Sequence, residues 1–440
     1  MMSSSLAALI GLALAIVLII KKISPVYSLM IGALAGGLLG CGSIVDTVGA
    51  MFDGVKSITP AVLRIIAAGV LSGALIESGA AASIAQTIVH RLGLRFVYFS
   101  LALATMILCA VGVFVDVAVI TVAPVALALS SRLELNPAKL LLAMIGGGKC
   151  GNIMSPNPNT IVAAENYDVP LSSVMAAGIL PALIGLAVTV FVIIPLIPSK
   201  ARSAGSCPNT GSGSASGVGS VPTSGNAPDS KKVTDASLPS FWASIAGPVV
   251  TILILALRPA FGIVIDPMIA LPAGGLVTLA ATRCLRKTAV SLDYGLSKMA
   301  PVALLLVGTG TLAGVISASD LKDVVITFLQ GWNVSGRIMA PFSSILMAAA
   351  TASTTAGATI ASASFSDAVL GTGFAGVWAA ALTNAGATVL DHLPHGSFFH
   401  ATAGSVSMPF RQRLGLIPFE SLVGLALTLA MLLCSYLPIF

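Results

Sequence analysis

One polar stretch in a largely apolar chain carries the residue types of a ligand site. Residues 146–160 read GGGKCGNIMSPNPNT. Glycine and proline interrupt regular helix, and uncharged amides and hydroxyls donate and accept hydrogen bonds. These amide and hydroxyl side chains suit a polyhydroxylated or hydroxy-acid ligand. The alternative is that the stretch forms a capped turn outside the membrane. Lys149 either attracts an anion or extends to the membrane interface. The candidate ligand-binding side chains here are Asn152, Ser155, Asn157, Asn159 and Thr160.

A second polar stretch lies between apolar runs in the other half of the chain. Ser353, Thr354 and Thr355 predict a second interruption of helix, although hydroxyls in a continuous helix also bond to the preceding turn. With Asn384 and Ser397, these residues form the second half of the predicted substrate site.

Ionisable residues gather near the end of the chain. Asp391, His392, His395 and His400 include three of the four histidines. Histidine changes charge near neutral pH, and ionisable groups inside membrane spans mark functional sites. We predict that Asp391 with His392 or His395 carries a coupling proton, with a solvated loop or a metal site as alternatives. Asp116 follows a long apolar run and is either a proton or ion group or the tip of a hairpin.

Motifs for nucleotide-driven or hydrolytic chemistry are missing from the sequence. Gly148-Lys149-Cys150 resembles the end of a P-loop, but Ala143 replaces the first glycine and Cys150 replaces the serine or threonine. No HExxH zinc motif occurs. The sequence therefore predicts no enzyme, no cofactor and no bound metal, and the net charge of +6 is no nucleic-acid signal.

The remainder of the chain must hold these residues within a lipid bilayer. Of 440 residues, 56% are hydrophobic and 9% are charged, whereas soluble domains carry about 25% charge. This composition predicts an all-α polytopic membrane protein with about 10–12 transmembrane spans. We expect a retained first span at 5–20 with the N-terminus outside, an interfacial segment at 43–57, and closing spans at 171–197 and 417–437.

A composition change divides the chain into two halves. Residues 199–238 are rich in glycine and serine and predict a flexible cytoplasmic linker. We assign residues 1–57 to N-terminal spans, 58–198 to a first transport repeat, 239–296 to connecting spans and 297–440 to a second transport repeat.

The two halves share an order of features. Residues 69–78 resemble 308–317, and an amphipathic segment follows each, at 80–92 and 320–331. Basic residues between spans predict opposite directions for the matching spans. Inverted repeats with interrupted segments at matching positions are typical of secondary transporters with a midplane site.

Three segments carry a resemblance to a known family. They are the glycine-rich approach to Pro-Asn-Pro at 146–158, the hydroxyl-rich 353–357, and DHLPHGSFF at 391–399. Their order resembles the gluconate permease (GntP) family of proton symporters, within the ion-transporter superfamily. The resemblance implies two inverted repeats with re-entrant helical hairpins, assembly as an oligomer such as a dimer, and proton-driven uptake of a small carboxylate. The chain departs from the family pattern at Pro394-His395 and at Asn157.

We therefore predict a proton symporter for a small organic-acid anion such as gluconate or a related sugar or hydroxy acid, in the inner membrane. A sodium-coupled carrier of di- or tricarboxylates is the alternative, because carbonyls of broken helices coordinate Na⁺. A channel is disfavoured because the polar interruptions are local.

Overall fold

The structure is a computed structural model. Its described residues form helices and no strand. The predicted linker at 199–238 lies outside the described residues except for residue 238, as do residues 320–331 and the candidate His395. The structure describes residues 4–21, 23–41, 43–93, 96–133, 135–198, 238–261, 263, 265–319, 335–394 and 396–437.

The helices of the first half include one long member and several short pairs. In order they are α1 Ser4–Ile20, α2 Pro25–Cys41, α3 Ile44–Glu77, α4 Ala80–Leu92, α5 Val97–Ala110, α6 Val115–Leu133, α7 Pro137–Asn152, α8 Pro158–Asn166 and α9 Leu171–Leu196. A π-helical turn at Thr189–Ile193 lies within α9.

The helices of the second half follow a similar order. They are α10 Phe241–Phe261, α11 Pro267–Ala281, α12 Thr288–Ser317, α13 Gly336–Thr351, α14 Thr354–Gly371, α15 Gly376–Gly386, α16 Ser397–Ser405, α17 Phe410–Leu414 and α18 Ile417–Cys434. Apart from α4 and α17, each half thus has two short helices, a long helix, a pair of linked helices, an interrupted helix and a closing helix. The inversion of one half relative to the other stays a prediction.

The linked pairs are helical hairpins with tight connections. In the second pair, Ala352 has a left-handed φ of 48° and Ser353 is extended, so the chain reverses between α13 and α14. A Cβ on Gly357 would lie 2.7 Å from the Cα of Ala348, so the two arms touch through backbone. In the first pair, residues 111–114 connect α5 to α6, with Gly112 at a φ of 101°.

The two long helices, α3 and α12, pack against each other through small residues. A Cβ on Gly54 would lie 2.0 Å from the Gly310 carbonyl oxygen, and one on Gly73 would lie 2.0 Å from that of Ser291. Small residues allow such close approach of backbones. The segment expected at the membrane interface, 43–57, is instead the first part of this long helix, which continues through Pro60 because the contact extends along its length.

The interior of the fold surrounds α7. Every residue of α7 from Leu140 to Asn152 is buried. Large apolar side chains are instead exposed on the outer helices, as on α9, where Phe191 is 66% exposed. Among the described residues, four helices are long and apolar enough to cross a membrane, and six shorter apolar helices accompany them. The count of about 10–12 spans stays a prediction.

Candidate functional site

The polar stretch of the first half interrupts a helix inside the core. Between α7 and α8 the chain leaves helix at 153–157, because Pro156 and Pro158 lack the N–H groups that would continue it. The Ser155 hydroxyl donates to the Asn152 carbonyl oxygen at 2.8 Å, and the Asn157 amide donates to the Asn152 side-chain oxygen at 2.6 Å. The five predicted side chains are at most 4% exposed, so protein covers this stretch on all sides.

Amide side chains join this interruption to the second half. Asn159 donates to the side-chain oxygen of Asn384 at 2.6 Å, and Asn384 donates to the Thr160 hydroxyl at 3.0 Å. These contacts place α8 against α15 and join residues that the sequence analysis assigned to the two halves of the substrate site. The Tyr167 and Thr383 hydroxyls, 2.9 Å apart, add a contact that the sequence reading missed.

The matching interruption in the second half contains the ionisable residues. α15 ends at Gly386, and α16 begins at Ser397. Asp391 and His392 lie between them and are 4% and 0% exposed, so they are not in a solvated loop. Lys149 reaches them from α7: its Nζ is 2.6 Å from Asp391 Oδ1 and 2.6 Å from the Thr388 carbonyl oxygen.

The tip of the second hairpin reaches the same carboxylate. The Thr354 hydroxyl donates to Asp391 Oδ2 at 2.6 Å. Ser353 caps α14, its hydroxyl accepting from the Ala356 N–H at 3.3 Å, and Thr355 beside it is half-buried. Both Asp391 oxygens therefore have partners, one from α7 and one from the hairpin.

His392 connects this carboxylate to the closing helix α18. Its Nδ1 lies 3.0 Å from Asp391 Oδ1 and 3.1 Å from Lys149 Nζ, while its Nε2 lies 3.1 Å from the Ile417 carbonyl oxygen and 3.2 Å from the Ser421 hydroxyl. A carbonyl oxygen only accepts, so we assign the proton of the neutral ring to Nε2. Nδ1 then accepts from Lys149, and a second proton there would donate to Asp391.

A second buried ion pair borders His392. Arg413 of α17 forms a bidentate pair with Glu420 of α18, and both are 0% exposed. Glu420 Oε2 lies 4.0 Å from His392 Nδ1. Arg413 also donates to the Phe399 carbonyl oxygen and the Thr402 hydroxyl. We call Lys149, Asp391, His392, Arg413 and Glu420 the core cluster.

The core cluster includes two cations, two carboxylates and one imidazole. With His392 neutral, these charges cancel, so a proton gained by the cluster leaves it with one net positive charge. The sequence reading missed the contribution of Arg413 and Glu420, because seven residues separate them and a basic residue near a span end is the usual signal of topology. Lys149 is 1% exposed and does not extend to the interface.

Four other residues singled out in the sequence lie apart from these contacts or outside the described residues. Ser397 is exposed at the first turn of α16, and Asp116 is half-buried at the start of α6, where its carboxylate accepts from the Val117 N–H at 2.9 Å. His400 is exposed, its Nε2 2.9 Å from the Pro394 carbonyl oxygen. His395 is not among the described residues. No group of three metal-ligating side chains occurs in the described part of the chain.

A cavity of about 890 Å³ lies at the far end of α8, beside Glu165 and Asn166. Its lining contains acidic residues from α3 and α14, Asp53 and Asp367 among them, but none of the core cluster. Arg64 of α3 lies near this end of α8, where it pairs with Glu165 and with Asp266, the residue before α11. We call Arg64, Glu165 and Asp266 the rim cluster.

Comparison with known proteins supports an integral membrane transporter. The chain is 52% identical over 434 residues to an uncharacterized transporter of Haemophilus influenzae, covering 97% of this chain and 96% of that protein. It is 27% identical over 173 residues to the high-affinity gluconate transporter of Escherichia coli, covering 39% and 38% of the two chains.

Two solved structures share the fold. The YdaH transporter of Alcanivorax borkumensis superimposes with a TM-score of 0.64 at 15% identity, over 91% of this chain and 89% of that one. MtrF of Neisseria gonorrhoeae, described within a class of antimetabolite efflux pumps, gives 0.57 at 14% identity, over 90% and 85%.

These relatives are transporters and not enzymes. The family description that matches this chain is GntP family permease, over residues 4–404. The match confirms the resemblance read from the three sequence segments. The chain belongs to the GntP family of permeases.

Proposed function

We propose that the protein is a secondary transporter that couples proton entry to uptake of a small organic-acid anion, such as gluconate or a related sugar or hydroxy acid. One observation carries the proposal. Two interrupted helices, α7–α8 and α15–α16, and the tip of the α13–α14 hairpin meet at buried side chains that include Lys149, Asp391 and His392. Irregular backbone at membrane depth occurs where protein buries it or where it lines a cavity.

The two interruptions differ in the chemistry that they offer. Asn152, Asn157 and Asn159 supply neutral amides suited to the hydroxyls of a sugar acid. Asp391 and His392 supply a carboxylate and an imidazole, the side-chain types that carry protons in membrane transporters. In this proposal the first interruption recognises the substrate and the second binds the proton.

Uptake into proteoliposomes tests this function. The purified protein is reconstituted, and labelled gluconate, lactate, malate, citrate and acetate are offered with the pH gradient and the Na⁺ gradient imposed separately. We expect saturable uptake of at least one hydroxy acid when the outside is acidic, without Na⁺, and no uptake of glucitol, the neutral polyol that matches gluconate.

Two results would contradict the proposal. Uptake that follows only Na⁺ would replace it with a sodium-coupled carrier of di- or tricarboxylates. Flux that does not saturate and does not accumulate against a gradient would favour a channel.

We further propose an inner-membrane protein with its N-terminus outside and residues 199–238 in the cytoplasm, in which 58–198 and 297–440 form the two inverted transport repeats. Cys207 lies in the proposed cytoplasmic linker. An impermeant maleimide should label Cys207 only after the cells are permeabilised, and labelling of intact cells would reverse the topology. A homodimer, which the family resemblance implies, is tested by light scattering in detergent.

A further inference from the structure

Lys149 is the buried cation of the interrupted helix α7. Its Nζ has three neighbours at hydrogen-bonding distance: Asp391 Oδ1, the Thr388 carbonyl oxygen and His392 Nδ1, at 2.6, 2.6 and 3.1 Å. An ammonium group has three donors, and here each has an acceptor. A charge in such a place is costly unless an opposite charge stays beside it. Asp391 supplies that charge.

The other buried carboxylate near Lys149 is already paired with a different cation. The charged and titratable groups that face His392 are Lys149 from α7, Asp391 from the second interruption, and Glu420 from α18. Glu420 is bound by both terminal nitrogens of Arg413. Thr354, from the hairpin, is neutral. Asp391 is thus the anion in contact with Lys149, and Glu420 is held by another cation.

A proton arriving at Asp391 or at His392 Nδ1 disturbs this balance in the same way. On Asp391, it removes the negative charge that faces Lys149. On Nδ1, it makes an imidazolium that binds Asp391 and lies about 3 Å from the ammonium. In both cases the cluster holds one positive charge in excess, and Lys149 lacks an anion of its own.

Groups that suit an incoming carboxylate lie one turn further along. Asn152 is three residues after Lys149, on the same side of α7. Asn157, the residue before α8, makes no side-chain cap, so the first N–H groups of that nine-residue helix have no cap from it. Helix N-termini attract anions, and Asn152, one turn after Lys149, accepts a hydrogen bond from Asn157 just before this one.

We propose that Lys149 is the residue that binds the substrate carboxylate, and that it does so by exchanging Asp391 for the substrate when a proton binds to the Asp391–His392 pair. One cation then serves two anions in turn. A bound proton alone would leave one positive charge in excess, and a bound carboxylate alone would leave one negative charge in excess. Because the two excess charges cancel, the proton and the carboxylate bind together. The inference rests on the proposed function and adds the residue that couples its two ligands.

Binding measured against pH tests the exchange. The probe is the acid of the uptake panel with the highest uptake, titrated into detergent-solubilised protein over pH 5–9. For the unmodified protein, binding of one proton with each carboxylate requires the apparent Kd to rise by up to tenfold per pH unit wherever the free protein has not bound that proton.

Two variants separate the partners. Asp391→Asn leaves Lys149 without its internal carboxylate, so we expect binding that no longer depends on pH, exchange of labelled for unlabelled acid, and no accumulation driven by a pH gradient. Lys149→Gln removes the cation, so the apparent Kd should rise at least about 30-fold at every pH. Lys139→Gln, in the first turn of the same helix, is the matched control and should bind as the unmodified protein does.

A third variant guards against misfolding. Lys149→Gln alone leaves Asp391 buried without its cation, whereas the double variant Lys149→Gln with Asp391→Asn leaves neither charge. The double variant should fold, bind weakly and show no dependence on pH.

The outcomes distinguish this inference from the proposed function. If the unmodified protein accumulates an acid with a pH gradient but Lys149→Gln or the double variant binds it within twofold of normal, the exchange is wrong and proton symport stands. If Asp391→Asn keeps the full pH dependence of binding, the exchange is wrong as well. If the unmodified protein follows only Na⁺, the proposed function fails and the exchange fails with it.

Discussion

The protein contains two clusters of charged residues that differ chiefly in their access to water. In the core cluster, the side chains of Lys149, His392, Arg413 and Glu420 are at most 1% exposed. In the rim cluster, Arg64, Glu165 and Asp266 are 25%, 22% and 42% exposed. Both join helices that are distant in the sequence, and both place an arginine between or beside carboxylates.

The difference in burial determines what each cluster contributes. Exposed ion pairs are worth little, because water and salt screen them. Buried pairs are not strongly stabilising in themselves, but losing one partner leaves an unpaired charge in a region of low dielectric. The core cluster therefore responds strongly to any change in charge, including the arrival of a proton, and the rim cluster responds weakly. Substitutions that remove one charge at a time test this contrast.

The largest effect is expected for Arg413→Met. The substitution leaves the carboxylate of Glu420 buried without its cation, which destabilises proteins by about 3–5 kcal/mol. Chemical unfolding in detergent micelles, followed by circular dichroism, measures the loss of stability. Arg411→Met is the matched control: Arg411 lies two residues earlier on α17 and is exposed, so its loss should change the free energy of unfolding by less than about 0.5 kcal/mol.

The double variant Arg413→Met with Glu420→Met sharpens this result. With both charges removed, most of the lost stability should return, because apolar replacement of a whole buried pair is often neutral. A double variant as unstable as Arg413→Met alone would show that the contacts of Arg413 with Phe399 and Thr402, and not its charge, hold α17 in place.

The second prediction concerns affinity. Asn157→Ala removes the amide that donates to Asn152 in the first interruption. We expect the apparent affinity for the transported acid to fall about tenfold, the effect of losing about 1.4 kcal/mol. Asn166→Ala is the comparison: it removes an amide hydrogen bond to Ser362 at the other end of α8. If both variants transport with unchanged affinity, the first interruption does not bind the substrate.

The sequence predicts these interruptions because their residues are locally diagnostic. Pro156 and Pro158 end one helix and begin the next whatever surrounds them. Serine and threonine at 353–355 were ambiguous, since only the left-handed Ala352 shows that the chain reverses there. The continuous α3 was not predictable from residues 43–59, because its continuity depends on glycines that meet α12 in space.

The pairing of charged residues in the core cluster was likewise not predictable from local sequence, because it depends on contacts between distant segments. Lys149 and Asp391 are 242 residues apart, and nothing in the composition around either indicates the other. The sequence could identify Asp391 and His392 as candidates because ionisable groups are rare among apolar runs. It could not distinguish a buried Lys149 from one at the interface, since that depends on the fold of both halves.

The third prediction concerns the rim cluster. Arg64→Gln breaks its pairs with Glu165 and Asp266, which are partly exposed. We expect a loss of stability of about 1 kcal/mol or less, and one that shrinks as salt is added, because screening already weakens these pairs. The same unfolding assay at low and high salt measures it. A loss as large as that of Arg413→Met, independent of salt, would mean that the rim cluster is as dry as the core cluster.

The smallest effect is expected for Lys56→Gln on α3. Lys56 pairs with Asp53 one turn earlier at 2.8 Å, and the two side chains are 77% and 74% exposed. This distance is close to the 2.6 Å between Lys149 and Asp391 in the core cluster, so distance alone would predict a similar contribution to stability. Because water solvates both groups, we expect a change within about 0.5 kcal/mol in unfolding free energy. A loss above about 1 kcal/mol would show that distance outweighs burial here, and the contrast between the two clusters would lose its physical basis.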